Sequence, residues 1–443
     1  MTGRLFEVIQ KYSYFVQGDK RYFYYDLLSK NLKISKDEII AVQNHYIKKI
    51  ISHCYDSVPY YKNLFNRMDI DPSSIKTRDD LKKIPVLTKS IIRKEFNSLK
   101  STDEHGQKLK LVTSGGSTGN QTIISVSPYY EQMGRASTLR TNALIGWLPS
   151  DKSLWIWGAP YENQNLEKSL KAKLGIFINR RKVINAYRYK EEHFAAWVDI
   201  INAYRPCVIY GYSSIIQQFS KYVLLNQIQL PSVKKVVSTT EKLRERDVIG
   251  TAFQCPVYDQ YGSREILSIA AELDPVGAPG VMSVFDDTVP LDVGRNNRLI
   301  VSALHSYGFP LINYEIGDCG NPLPCKAVNS DIPFSSFSLT IGRDTDNFIN
   351  HKNELISSSA LSTWMSTHKI YIKEQQIIQH GLKNFEISYV VDSGFEKKHY
   401  EKVIQACLET YFGDQLALNF IPCDEIPFEK SGKKLMFKRM FEI

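Results

Sequence analysis

Between residues 109 and 341, short β-rich runs alternate with stretches of helix-like spacing, and that alternation narrows the available folds more than any other feature of the chain. The runs are Leu111-Val112-Thr113, residues 122–126, Leu154-Trp155-Ile156-Trp157, Cys207-Val208-Ile209-Tyr210 and residues 233–237. Strands separated by helices predict an α/β body built on a largely parallel sheet.

The flanks have a different texture. Over residues 38–65, Ile39, Ile40, Val42, Tyr46, Ile50 and Ile51 recur at helical spacing, and Pro59 is expected to break the helix. Over residues 75–96, Asp79-Asp80-Leu81 and Ile84-Pro85-Val86-Leu87 lead to Thr88, a helix cap. These form a helical lead-in to the α/β body. After Gly342, Phe385, Ile387 and Tyr389 alternate as in a half-buried strand, Val403, Ile404, Cys407, Leu408, Tyr411 and Phe412 form a helical stripe, and Leu416, Leu418 and Phe420 alternate again. That series predicts a small α+β domain. With no internal repeat and no low-complexity linker, the expected division is a large domain over residues 1–342 and a small mobile one over 343–443, joined directly.

At 443 residues, 43% apolar and 23% charged, the chain has the composition of a folded protein, not a disordered or fibrous one. Near the amino terminus Glu7, Gln10 and Lys11 interrupt Phe6, Val8 and Ile9, and nowhere do roughly 18 apolar residues run together, so a cytoplasmic protein without a membrane span is expected. The 7 cysteines contain no CxxC pair and read as free thiols. The net charge of +9 is dispersed and interleaved with acids, which describes a solvated surface and not a nucleic-acid interface.

Five segments carry residues suited to chemistry. In Thr113-Ser114-Gly115-Gly116-Ser117-Thr118-Gly119, glycines admit a close ligand while backbone NH groups and hydroxyls can surround phosphate oxygens; no Lys follows Gly119, so this is not a P-loop, and a Gly/Ser-rich hairpin turn is the plainer alternative. In Tyr261-Gly262-Ser263-Arg264-Glu265, at the end of a strand, a carboxylate for Mg²⁺ stands beside a cation for phosphate; the alternative is a surface ion pair. Asn313-Tyr314-Glu315-Ile316-Gly317-Asp318 places an acid, read as lying in a loop after a strand, where it can take both hydroxyls of a ribose; the alternative is an ordinary turn. Arg343 lies at the domain joint. Lys430-Ser431-Gly432-Lys433-Lys434 presents a lysine on a glycine-flanked loop, as a transferring phosphoryl group requires, or else is a solvated basic tail.

The order of these segments resembles the adenylate-forming superfamily of acyl-CoA ligases and luciferases. With Ser57-Val58-Pro59-Tyr60-Tyr61-Lys62 and residues 81–89 in front of them, the chain is similar to the phenylacetate-CoA ligase and CapK-like branch over residues 51–434. The resemblance implies that residues 113–119 hold the ATP phosphates and that Thr239, Thr240 and Glu241 line the adenine and ribose side. It implies that Tyr261 stacks on adenine, Glu265 holds Mg²⁺, Asp318 binds the ribose, Arg343 assists at the joint, and Lys433 or its neighbour Lys434 is the adenylation lysine. A carboxylate attacking the α-phosphorus of ATP meets anion–anion repulsion, which Mg²⁺ and a lysine offset without any protein nucleophile.

The resemblance also implies an acyl acceptor, either CoA or the phosphopantetheine thiol of a carrier protein, a small carboxylic acid as substrate, a homodimer, and a place in capsule or cell-surface polysaccharide synthesis. Three departures bear on this. Arg264 replaces the family's usual Thr, Thr345 occupies the hinge-acid position, and Lys352 stands where a glycine lets the thiol pass, so transfer to an amine or hydroxyl, or nucleotide binding without turnover, are the alternatives. Relatives that carry zinc use Cys and His near the ribose-binding acid; here His305, Cys319 and Cys325 have no partner ligands at Leu273 or Ala278-Pro279-Gly280, and no zinc is expected. Trp157, Tyr210 and Tyr212 are candidates for the acyl pocket, or simply core.

Overall fold

Two short helices, α1 (Gly3–Val16) and α2 (Arg21–Lys30), precede α3 (Lys36–Ser57), whose start is fixed by a reciprocal cap in which Ser35 Oγ accepts from the Glu38 amide and the Glu38 carboxylate accepts from the Ser35 amide. The buried stripe of α3 is Ile39, Gln43, Ile47, Ile50, Ile51 and Cys54. Pro59 ends it as expected and opens α4 (Pro59–Met68), where a missing NH costs nothing at the first helical position. Thr88 caps α5 (Lys89–Lys94) through its hydroxyl. The computed structural model describes residues 3–441 apart from 114–121, 158–169, 187, 190–191, 241–242, 244, 324–332, 342–347, 353, 357–360, 362–363, 366–367, 369 and 428–435. The described residues form two compact units, one drawn from Met1–Ser114, Thr122–Pro149 and Tyr258–Gly342, the other from Ser150–Val257 and Arg343–Ile443.

In the first unit, β1 (Lys110–Thr113) and β2 (Ile123–Val126) pair antiparallel, and α6 (Pro128–Leu144) follows, capped by Ser127 with Pro128 in its first turn. In the second, β3 (Ser153–Trp157) is followed by α7 (Leu170–Ile178), β4 (Arg181–Asn185), the short β5 (Arg188–Tyr189), α8 (Glu192–Tyr204), β6 (Val208–Tyr212), α9 (Ser213–Leu225), β7 (Lys235–Thr239) and α10 (Arg246–Phe253). Strands β4, β3, β6 and β7 lie in that order, all parallel. Leu154, Ile156, Ile209 and Val236 join Phe194, Trp197, Ile215 and Phe219 of the crossover helices in one core.

From Tyr258 onward the expected parallel sheet gives way to an antiparallel one. Strands β8 (Val257–Tyr261), β9 (Ala270–Glu272), β10 (Val281–Val284), β11 (Leu291–Val293), β12 (Arg298–Val301), β13 (Tyr314–Leu323) and β14 (Ser336–Ile341) make antiparallel pairs in the order β11-β12-β13-β14-β10-β9-β8. The physical reason is connection length: among the described residues no α-helix lies between these strands, and a parallel pair needs a crossover of a dozen or more residues. The lead-in locks onto this sheet. Tyr61 Oη donates to the Pro310 carbonyl and accepts from the Ile312 amide, both at 3.1 Å, while the Leu87 amide donates to the Asn313 carbonyl (2.9 Å) and the Glu315 amide to the Leu87 carbonyl (3.0 Å). The start of β13 is therefore held by the amino-terminal segment.

The remainder of the second unit matches the predicted α+β pattern. After β15 (Phe348–Ile349) and β16 (Leu355–Ile356), which pairs with β5, come β17 (Ile372–Gly381), β18 (Asn384–Val391), α11 (Lys397–Phe412), β19 (Ala417–Pro422) and β20 (Phe437–Arg439). The sheet order is β19-β18-β17-β20, and α11 buries Tyr400, Val403, Ile404, Cys407, Leu408, Tyr411 and Phe412 against it. No helix among the described residues is long and apolar enough to cross a membrane.

Candidate active site

Strand β8 runs into a tight turn that presents Arg264 and Glu265. A Cβ at Gly262 would lie 2.3 Å from the Leu267 carbonyl oxygen, so the turn closes only around glycine. The Ser263 amide donates to the Ile266 carbonyl at 2.8 Å, and the Ile266 amide to Ser263 Oγ at 3.1 Å. Glu265 is only 2% exposed, and a carboxylate that buried needs hydrogen bonds. Tyr314 Oη, from the first residue of β13, donates to Glu265 Oε1 at 3.3 Å, and Tyr130 Oη, from the first turn of α6, donates to the Glu265 carbonyl at 3.2 Å. Burial, with the Glu265 charge added, raises the Tyr130 hydroxyl above its usual range and keeps it a donor.

Tyr261, the last residue of β8, donates from Oη to Asp318 Oδ2 at 2.9 Å, and its ring meets Phe337 edge-on at 5.8 Å. The loop expected around Asp318 is in fact the middle of β13. Gly317 takes φ +103° and the pairing register slips between Cys319 and Gly320, so the turn-like residues make a bulge inside the strand instead of ending it. The Lys89 ammonium lies 3.1 Å from where a Cβ on Gly317 would stand, which brings a cation beside this acidic stretch.

Arg264, expected to reach phosphate, has Nη1 3.4 Å from the carbonyl oxygen of Thr113. Thr113 pairs with Ile123 at the end of the β1–β2 hairpin, where the glycine-rich segment begins. Ser114, Gly115, Gly116, Ser117, Thr118 and Gly119 lie outside the described residues, as do Glu241, Arg343, Lys433 and Lys434. Within the first unit, then, Thr113, Tyr261, Gly262, Arg264, Glu265 and Asp318 are joined by short hydrogen-bonded steps.

In the second unit the three aromatic residues assemble as one wall. Trp157 stacks on Tyr212 at 4.6 Å and on Tyr210 at 5.7 Å between centroids, and Arg181 caps Trp155 beside them at 4.7 Å. Burial pushes the Tyr210 hydroxyl up to about 12, against a hydrogen bond with the Thr239 side chain. Thr240 follows at φ +70°, a left-handed backbone that a β-branched residue rarely adopts and that collects at functional turns.

Sequence reasoning missed Tyr130 and Tyr314. Tyr314 stands inside the segment read for Asp318, and Ser127-Pro128 announces the helix that carries Tyr130, but neither pattern says what the hydroxyl meets 135 or 49 positions away. Among the described residues, no group of three or more His, Cys, Asp or Glu side chains is placed to hold a metal ion. His305 is buried against Tyr129, and Cys325 lies outside the described residues. Glu265 is a hard oxygen donor of the type Mg²⁺ takes alongside phosphate oxygens.

Residues 348–440 match the family described as the CapK C-terminal domain. The chain is 23% identical over 415 residues to Protein CapK of Staphylococcus aureus, covering 90% of this chain and 88% of that one. It is 26% identical over 118 residues, 27% of each chain, to phenylacetate-coenzyme A ligase of Escherichia coli strain K12. Among solved structures it shares the fold of 2-hydroxyisobutyryl-CoA ligase bound to 2-HIB-AMP and CoA in the thioesterification state, with a TM-score of 0.58, 15% identity, and coverage of 93% of this chain and 92% of that one. The same ligase in the postadenylation state gives a TM-score of 0.56 at 14% identity, over 94% of this chain and 92% of that one. By its likeness to Protein CapK over nearly its whole length, the match of residues 348–440 to the CapK C-terminal domain and the fold it shares with 2-hydroxyisobutyryl-CoA ligase, the chain is similar to the CapK-like branch of the adenylate-forming superfamily.

Proposed function

We propose that the chain is an ATP-dependent ligase that converts a small carboxylic acid to its acyl-adenylate and passes the acyl group to a thiol, on CoA or a carrier protein. Similarity to CoA ligases supports the adenylate-forming half of this reading. The observation that carries it is the linked set in the first unit, where Tyr261 is hydrogen-bonded to Asp318 and Glu265 is held by Tyr130 and Tyr314. An aromatic ring and two acids, fixed by neighbours and close in the fold, suit adenine, ribose and the metal-bound phosphates of one nucleotide.

In this reading the acid's carboxylate attacks the α-phosphorus and pyrophosphate leaves with the electrons of the broken P–O bond. Glu265 would hold Mg²⁺, which when bound would supply neutralising charge for the phosphates. Asp318 and Tyr261 fix the nucleoside, Thr113 begins the segment that surrounds the phosphates, Arg264 adds a cation there, and Lys433 supplies the positive charge for adenylation. Thr239, Thr240 and Glu241 line the adenine side, and the wall of Trp157, Tyr210 and Tyr212 takes the acyl group. Residues 1–342 serve as the large domain and 343–443 as the small mobile one. We further propose that the reaction takes place in the cytoplasm and serves the making of capsule or other surface polysaccharide, a role that the name Protein CapK suggests.

A second reading, transfer to an amine or hydroxyl, is favoured by Lys352, an exposed residue in the turn between β15 and β16 whose amide donates to Asn350 Oδ1 at 3.0 Å. Incubation with ATP and candidate acids, with CoA, a carrier protein and an amino sugar offered together, separates the two by product mass. A thioester supports the first, an amide or ester the second, and no AMP from any acid contradicts both.

A further inference from the structure

The helical lead-in brings two cations to the proposed nucleotide site, both within the first unit. Helix α5 is short but firmly seated: Leu87, just before it, is bonded through its backbone to Asn313 and Glu315, and Ile92 inside it is fully buried in the core. Lys89 and Arg93 stand one turn apart on α5, share a face of it and are half-buried.

Each cation meets a different part of the site. Lys89 Nζ lies beside Gly317, which adjoins Asp318, and a Cβ at Gly317 would stand 3.1 Å from it. Arg93 Nη1 donates to Thr122 Oγ1 at 3.4 Å. Thr122 directly precedes Ile123, the residue of β2 that pairs with Thr113, and the Thr113 carbonyl accepts from Arg264 Nη1, also at 3.4 Å. The two arginines thus stand at the two strand ends of one hairpin, Arg264 where the glycine-rich segment leaves β1 and Arg93 where it enters β2. Together with the bond from Tyr261 to Asp318, these contacts close a circuit from Asp318 through α5 and the hairpin ends to Arg264 and back along the turn to Tyr261. Both guanidinium contacts go to neutral oxygens and are long for such a bond, whereas phosphate oxygens offer charge-assisted, forked partners.

We propose that Lys89 and Arg93 of α5 bind the β- and γ-phosphates of ATP and hold them as they leave as pyrophosphate, which makes the lead-in part of the nucleotide site. This rests on the acyl-adenylate reading: with Tyr261 and Asp318 on the nucleoside, the cations at the hairpin ends serve the phosphate end. Three positive charges drawn from two stretches of chain offset the repulsion that the incoming carboxylate meets.

Isothermal titration of the full-length protein with MgATP, magnesium pyrophosphate and AMP, in the absence of any acid substrate, tests it. Lys89→Gln and Arg93→Gln are each expected to weaken ATP and pyrophosphate roughly tenfold or more, the fold-change of one charge-assisted hydrogen bond, and AMP by less than about twofold. Lys89→Arg, which keeps the charge, should recover most of the ATP affinity. ATP affinity unchanged in both glutamine variants would overturn the inference. So would AMP weakened as much as ATP, which would make Lys89 and Arg93 supports of Asp318 and the hairpin. If Arg93→Gln does not fold, Lys89→Gln decides alone. A wild-type protein that binds none of the three ligands would contradict the acyl-adenylate reading and this inference with it, a failure distinct from the other two.

Discussion

Tyr261 and Asp318, 57 positions apart, are joined by a 2.9 Å hydrogen bond from the phenol to the carboxylate, so the residue proposed to cover adenine also orients the residue proposed to hold the ribose. Tyr261→Phe keeps the ring and loses this bond. It is expected to raise KM for ATP roughly three- to tenfold with little change in kcat, because a net hydrogen bond contributes about 1 kcal/mol and acts before the chemical step. Steady-state kinetics against ATP check this, and a fall confined to kcat would argue against the assignment.

Glu265, proposed to hold Mg²⁺, and Tyr314, which donates to its carboxylate, can be told apart by substitution. Glu265→Gln is expected to reduce adenylation by roughly 10²-fold or more, and Tyr314→Phe, which only frees one carboxylate oxygen, by less than about tenfold. Initial rates across a Mg²⁺ series should show the Glu265 variant needing more Mg²⁺. Equal effects of the two changes would assign Glu265 a structural role.

Arg140 on α6 and Asp287 between β10 and β11 form a wholly buried pair, with Arg140 Nη2 donating to Asp287 at 2.9 Å and Nη1 also reaching the Leu28 carbonyl at 3.2 Å. Breaking it from one side leaves an uncompensated charge, so Arg140→Met and Asp287→Leu should each lose about 3–5 kcal/mol. The double variant should lose less than the sum of the two, which urea denaturation of all four proteins measures.

Burial lowers the His305 pKa to about 4. Its surroundings are Tyr46 and Lys49 from α3, Tyr129 and Arg140 from α6, and Asp287. Below an unfolded pKa near 6.5 the unfolded chain takes up the proton that the folded chain refuses, so stability falls as pH drops from 6.5 toward 4 and is flat above that window with respect to this group. Replacing His305 by Phe should flatten the wild-type loss of Tm between pH 7 and pH 5, and an unchanged slope would show that His305 is not buried neutral.

Much of the fold is legible in the amino-acid sequence. Pro59 and Thr88 act through local sterics and capping and the stripe of α11 is periodic, so each can be read from short windows, whereas the stripe of α3 is read only in part: Ile39, Ile50 and Ile51 are buried, Ile40 is exposed, and Gln43, Ile47 and Cys54 complete the buried face. The strand that leads to Glu265 is legible for the same reason. What cannot be read depends on distant partners. Gly317 and Asp318 have turn chemistry, yet pairing of β13 with β12 and β14 keeps them in a bulged strand. The switch from parallel to antiparallel pairing at Tyr258 lies in connections that, among the described residues, hold no α-helix, a feature weakly marked by composition. Tyr130 and Tyr314 become site residues only when folding brings their hydroxyls to Glu265.

The central claim is that this chain makes an acyl-adenylate, and acid-dependent exchange of labelled pyrophosphate into ATP measures that step without reference to the acceptor. Across a panel of small carboxylic acids, at least one should drive exchange in the wild type, and Lys433→Ala should abolish it. Exchange from no acid despite tight ATP binding, or exchange that Lys433→Ala and Glu265→Gln both leave intact, would contradict the account.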